Sequence, residues 1–84
     1  MNYKIKLYNK IIKDCENICE LPIGDLCEKG LTDIDTIRKW LVKNLYYQMK
    51  KDETRTFADI KYELSINYEI SVSSIEKLIY GRKY

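Results

Sequence analysis

The chain has 84 residues, of which 45% are hydrophobic and 33% charged, and its net charge is +2. A chain this short makes one small domain with a thin core, and that hydrophobic content excludes wholesale disorder. The weak basic excess lies in residues 31–55, where six Lys and Arg face four acids; tight nucleic-acid binders usually carry more.

One Pro and three Gly leave few breaks, which favours helices over many short strands. Three cysteines are an odd number and suggest reduced thiols rather than a disulfide framework. The opening MNYKIKLYNK lacks the apolar run of a signal peptide, and no stretch approaches the length of a membrane span. The expectation is a cytoplasmic protein with no membrane partner.

In chain order, residues 3–20 come first. Ile5, Tyr8, Ile12, Cys15 and Cys19 recur at steps of three and four, with Ile11 and Ile18 beside them, and predict an amphipathic helix. Pro22 ends it, since the residue before proline resists the α conformation. Proline also suits the first turn of a helix, so residues 23–28 predict a short second helix facing in with Ile23, Leu26 and Cys27. Gly30 fits a left-handed position past its end.

Thr32-Asp33-Ile34-Asp35 then matches a capping box, with the Thr32 hydroxyl as the acceptor. The long helix it opens carries Ile34, Ile37, Leu41 and Leu45 on one stripe, broadened by Trp40, Val42 and Tyr46, and should be the central one. Lys50 and Lys51 suit its C-terminal dipole. A second cap at Thr56 opens a helix through Phe57, Ile60, Leu64 and Tyr68, and Ser71 caps a last helix that Gly81 ends. The fold class predicted is all-α: a compact bundle of about five helices, one domain over residues 1–84.

Residues 64–81, LSINYEISVSSIEKLIYG, have the pattern of a helix-turn-helix, and the whole motif occupies about 56–82. Ser65 is the small residue facing the partner helix, Ile70 fills the turn, and Ile75 and Leu78 lock the last helix. Glu69 stands where glycine is commonest, because that position often needs a positive φ. If the motif reads DNA, the base contacts fall near the start of the last helix, on Ser71, Ser73, Ser74 and Lys77. Arg82 and Lys83 would hold the backbone, with Lys61 beside them. The plain alternative is a helical hairpin that binds no ligand, or one that binds a protein.

Catalysis has little to stand on. There is no His, no Gly-rich phosphate loop and no base for a thiol nucleophile. Cys15, Cys19 and Cys27 lack a fourth zinc ligand, so core packing is their simpler role. No enzyme activity, cofactor, metal or small-molecule substrate is expected.

Residues 11–30, IIKDCENICELPIGDLCEKG, resemble the opening of the C-terminal DNA-binding domain of the bacterial replication initiator DnaA. The turn Leu21-Pro22-Ile23-Gly24-Asp25-Leu26 is similar to that family's apolar-x-apolar-x-Asp-Leu turn. Ile37-Arg38-Lys39-Trp40 falls at its Ala-Arg-Gln-apolar run, and Ser73-Ser74-Ile75 at its Ser-Thr-Val. Ser71-Val72 stands where the family has Asp-His. The resemblance spans about residues 11–82 and sits within the wider Trp-repressor type of helix-turn-helix domain. It implies Arg38 as a further phosphate or groove contact and double-stranded DNA as the partner of a small regulator or mobile-element or replication-related protein. The rival from another class keeps the fold and binds a protein partner instead. DNA binders of this kind commonly dimerise to read two half-sites, so a homodimer is a candidate partner, and no residue pattern identifies a face for it.

Overall fold

A computed structural model describes residues 3–81. They form five helices: α1 (Tyr3–Cys19), α2 (Ile23–Glu28), α3 (Ile34–Met49), α4 (Phe57–Tyr68) and α5 (Val72–Tyr80). Among the described residues there is no strand, and no helix is long and apolar enough to cross a membrane. The chain divides into two compact units, one ending at Leu41 and the other beginning at Val42. The division falls inside α3, whose first turns belong to one unit and whose last turns belong to the other.

The first unit buries Ile11 and Cys15 of α1, Ile23 of α2, and Ile37 and Leu41 of α3. The apolar row expected along α1 is least covered at its start, where Tyr8 still meets Cys27 of α2. Ile5 is 53% exposed and Tyr8 40%. The covering element is α2, whose Gly24 backbone approaches the Ile12 side chain. α1 stops where Glu20 turns left-handed at φ 58° and returns its N–H to the Glu16 carbonyl at 2.8 Å. The start of α2 is stapled to α1, since the Gly24 N–H donates to a Glu16 carboxylate oxygen at 2.9 Å. That oxygen meets one of the orphan donors every helix start leaves. Pro22 sits just before the helix and supplies the carbonyl that the Leu26 N–H reaches. Gly30 takes the left-handed conformation at φ 75°.

α3 is capped by Asp33 rather than Thr32. The Asp33 carboxylate accepts the Thr36 N–H at 2.8 Å, and that bond holds its pKa below the usual carboxylate value. Both Thr and Asp cap well, so local composition could not choose between neighbours one residue apart. The most buried line of α3 runs Ile37, Leu41, Val42, Tyr46, while Trp40 is substantially exposed.

The second unit buries Val42 and Tyr46 of α3, Ile60, Leu64 and Tyr68 of α4, and Ile75 of α5, with Ile70 between the last two helices. Lys50 lies just past α3 and places its ammonium 5.0 Å from the Tyr47 ring centre and 5.9 Å from those of Tyr46 and Phe57. A cation over aromatic faces gains from their quadrupoles, a second use for a lysine expected only to suit the dipole. Thr56 caps α4 as expected, its hydroxyl accepting the Asp59 N–H at 3.1 Å. Arg55, just before that cap, pairs with Glu63 in the second turn of α4.

Candidate nucleic-acid interface

α4 ends where Glu69 adopts φ 55° and ψ 46°, the left-handed conformation. An L residue with a Cβ adopts it at a cost of about 1–2 kcal/mol. The gain is a sealed helix end. Both the Glu69 and the Ile70 N–H groups reach the Ser65 carbonyl, the latter at 3.3 Å. Ile70 is thereby turned inward and buried. One residue later Ser71 is extended at φ −67° and ψ 150°, and its hydroxyl accepts the Ser74 N–H at 3.0 Å. The turn between α4 and α5 is therefore residues 69–71, fixed at one end by strained backbone and at the other by a side-chain cap.

With Ile75 fully buried and Leu78 half-buried, α5 presents Ser73, Glu76, Lys77 and Tyr80 along one exposed face, lining a shallow cleft of about 330 Å³ with Gly81. Ser74 is exposed on the flank. The Ser71 hydroxyl also donates to the Ser74 hydroxyl at 2.9 Å. Its lone pair and its proton are thus both engaged within the cap, whereas the Ser74 oxygen retains its own proton to donate. The outward polar groups of α5 are the hydroxyls of Ser73 and Ser74, the Lys77 ammonium and the Glu76 carboxylate.

Lys61 is placed differently from the outward contact expected of it. Its side chain is only 13% exposed and bridges α4 to α5, its ammonium 3.2 Å from Glu76 and 5.1 Å from the Tyr80 ring centre. Desolvation pulls its pKa down, but the bonds to Glu76 and Tyr80 outweigh this and raise it, so Lys61 stays charged with its ammonium engaged by α5. Tyr80 also meets the buried Tyr46, hydroxyl to hydroxyl at 3.4 Å. Burial, with that contact, pushes Tyr46 up to about 12, while the same contact and Lys61 lower Tyr80. Sequence spacing gave no sign of the Lys61–Glu76 pair, whose members lie 15 residues apart.

Charge in the described part of the second unit balances. Lys43, Lys50, Lys51, Arg55, Lys61 and Lys77 face Asp52, Glu53, Asp59, Glu63, Glu69 and Glu76. Of the expected contact residues, Ser71, Ser73, Ser74 and Lys77 come together on α5. Arg38 belongs to the first unit, where its guanidinium lies 2.9 Å from Asp35, which also takes Lys39 at 3.2 Å. Arg82 and Lys83 lie outside the described residues.

In the first unit, Cys15 is a buried thiol pushed up to about 12 by desolvation and by Cys19 beside it. Such a thiol packs rather than reacts. Among the described residues no group of three or more His, Cys, Asp or Glu is placed to hold a metal ion. No protein-family model matches the chain, and comparison with curated proteins and with solved structures finds no match.

Proposed function

We propose that α4, the turn at residues 69–71 and α5 act as a helix-turn-helix that binds duplex DNA in the cytoplasm, with α5 entering the major groove. The supporting observation is the held start of α5: a Ser71 cap and the buried Ile70 and Ile75 fix the helix, and Ser73, Ser74 and Lys77 are left exposed. In this motif the second helix meets base edges with its N-terminal residues while the first crosses the backbone. The two hydroxyls fit either donors or acceptors and so specify weakly, whereas Lys77 suits a guanine edge or a phosphate. Arg82 and Lys83, next in the chain, are proposed as backbone contacts. Arg38 enters only through the resemblance to the initiator's domain, which belongs to this proposal as a likeness of motif and not of target sequence.

The balanced charge sets the strength. Few phosphates are neutralised, so affinity should be modest and its salt dependence shallow. Titration of a fluorescent duplex at low and physiological salt tests this, and no binding at low salt would overturn it.

One observation favours the second reading, a protein-binding module. On α4, Tyr62 and Ile66 stand one helical turn apart and are 65% and 58% exposed, an apolar pair that suits a protein surface better than a phosphate backbone. Capture of a defined partner that Tyr62→Ser abolishes, without salt-dependent DNA affinity, would favour that reading.

A further inference from the structure

Charge in the first unit is segregated in a way its overall neutrality hides. Residues 3–13 carry Lys4, Lys6, Lys10 and Lys13 and no acid, and residues 14–28 carry Asp14, Glu16, Glu20, Asp25 and Glu28 and no base. The break falls within α1, so one end of this helix is basic, and its other end, with α2, is acidic.

Two apolar features follow the same division. At the basic end, Ile5 is exposed at the start of the row, ahead of Tyr8, whose hydroxyl meets Cys27 of α2. At the acidic end, a cavity of about 260 Å³ opens among Cys19, Leu21, Ile23, Leu26 and Trp40. This exceeds the ~150 Å³ that admits a benzene ring, so it has room for an apolar side chain. Leu21 and Trp40 at this cavity are themselves substantially exposed.

We propose that the occupant is a second copy of this chain, docked antiparallel through α1 as a twofold dimer. In a twofold contact, residue i of one protomer meets j of the other while j meets i. A copy turned end for end sets the basic end of each α1 against the acidic end of its partner and offers Ile5 to the partner's cavity. Parallel docking is disfavoured, because it would bring four lysines against four. An anionic lipid surface or a nucleic-acid backbone would attract the lysines but would leave the acidic end and its cavity unused. The dimer rests on the first unit alone and stands whether or not α5 binds DNA.

Sedimentation equilibrium of the full chain tests it. A salt-weakened monomer–dimer equilibrium is expected. Lys6→Glu with Lys13→Glu, and separately Glu20→Lys with Asp25→Lys, should each weaken dimerisation at least tenfold. An equimolar mixture of the two variants should dimerise again, because reversed ends then meet reversed ends and native ends meet native ends. Circular dichroism checks that both keep their helix content, and Ile5→Ser, at an exposed position, should weaken the dimer with no charge change. A wild-type chain that stays monomeric at millimolar concentration and low salt overturns the proposal, as does a dimer indifferent to both reversals or a mixture that stays monomeric. A monomer whose lysine variant loses affinity for anionic vesicles or duplex DNA would also overturn it and identify the other occupant.

Discussion

Lys61 on α4 holds Glu76 on α5 at 3.2 Å. The pair fastens the two helices and leaves a carboxylate next to Lys77 on the face proposed to meet DNA. Glu76→Gln removes that negative charge and frees Lys61 to turn outward. If α5 contacts phosphate, affinity for duplex DNA at low salt should rise several-fold. The cost to stability should stay below about 1 kcal/mol, as for exposed ion pairs generally. Parallel binding and thermal-melt titrations check both parts. Unchanged or weaker DNA affinity would count against α5 as the contact helix.

Glu69 carries the backbone strain of the turn. Glycine at this position removes the Cβ penalty but makes the unfolded chain more flexible, so Glu69→Gly should stabilise by about 0.5–1 kcal/mol net. Glu69→Val, β-branched in a left-handed conformation, should destabilise instead. Urea midpoints at constant slope measure the difference. A destabilising glycine would mean that the side chain matters more than the backbone.

Glu16 performs a task that its position in the middle of a helix does not announce. Its carboxylate accepts the Gly24 N–H and fixes the entry of α2. Glu16→Ala should cost about 1.5–3 kcal/mol, the range for hydrogen bonds to charged groups. Glu16→Gln, which keeps an acceptor, should cost less, and Glu28→Ala, at an exposed helix end, should be close to neutral. Chemical denaturation of the three variants ranks them.

Tyr46 gives the second unit an alkaline limit. Its folded pKa, about 12, lies above the ordinary value of 10, so the protonated form is the one the fold favours. That contribution to stability is complete below pH 10 and is lost as pH rises through about 12. Tyr80 is lowered by its contact with Tyr46 and by Lys61, and so ionises first. Among the eight tyrosines, phenolate absorbance should therefore show Tyr46 titrating late, along with Tyr8, which desolvation and Cys27 also raise. In Tyr46→Phe the late amplitude should fall by one tyrosine and Tyr80 should move up toward its ordinary value.

The helices were legible because their signals are local. The caps at Thr56 and Ser71, the start of α2 after Pro22 and the left-handed Gly30 each depend on residues within one turn. The strain at Glu69 was also readable, from the absence of a glycine where a turn demanded one. Contacts that depend on a second element were not. The Glu16–Gly24 bond spans eight residues, and nothing in the spacing of α1 says that α2 covers Ile12 but not Ile5. The candidate site divides along the same line. Exposure of Ser73, Ser74 and Lys77 followed from the period of α5, whereas the pairing of Lys61 with Glu76 required knowing which face of α4 meets α5. Arg38 was implied by resemblance rather than by pattern, and its contact with Asp35 lies one turn away on the same helix.

The most direct test of DNA binding through α5 is the salt dependence of duplex affinity for the wild type and for Lys77→Ala. A lysine that contacts phosphate contributes about 0.9 to the slope of log affinity against log salt concentration. Measurable low-salt binding, with a slope that falls by about that amount in the variant, is the expected result. Equal slopes and equal affinities for the two proteins, or no binding by either at low salt, would contradict it.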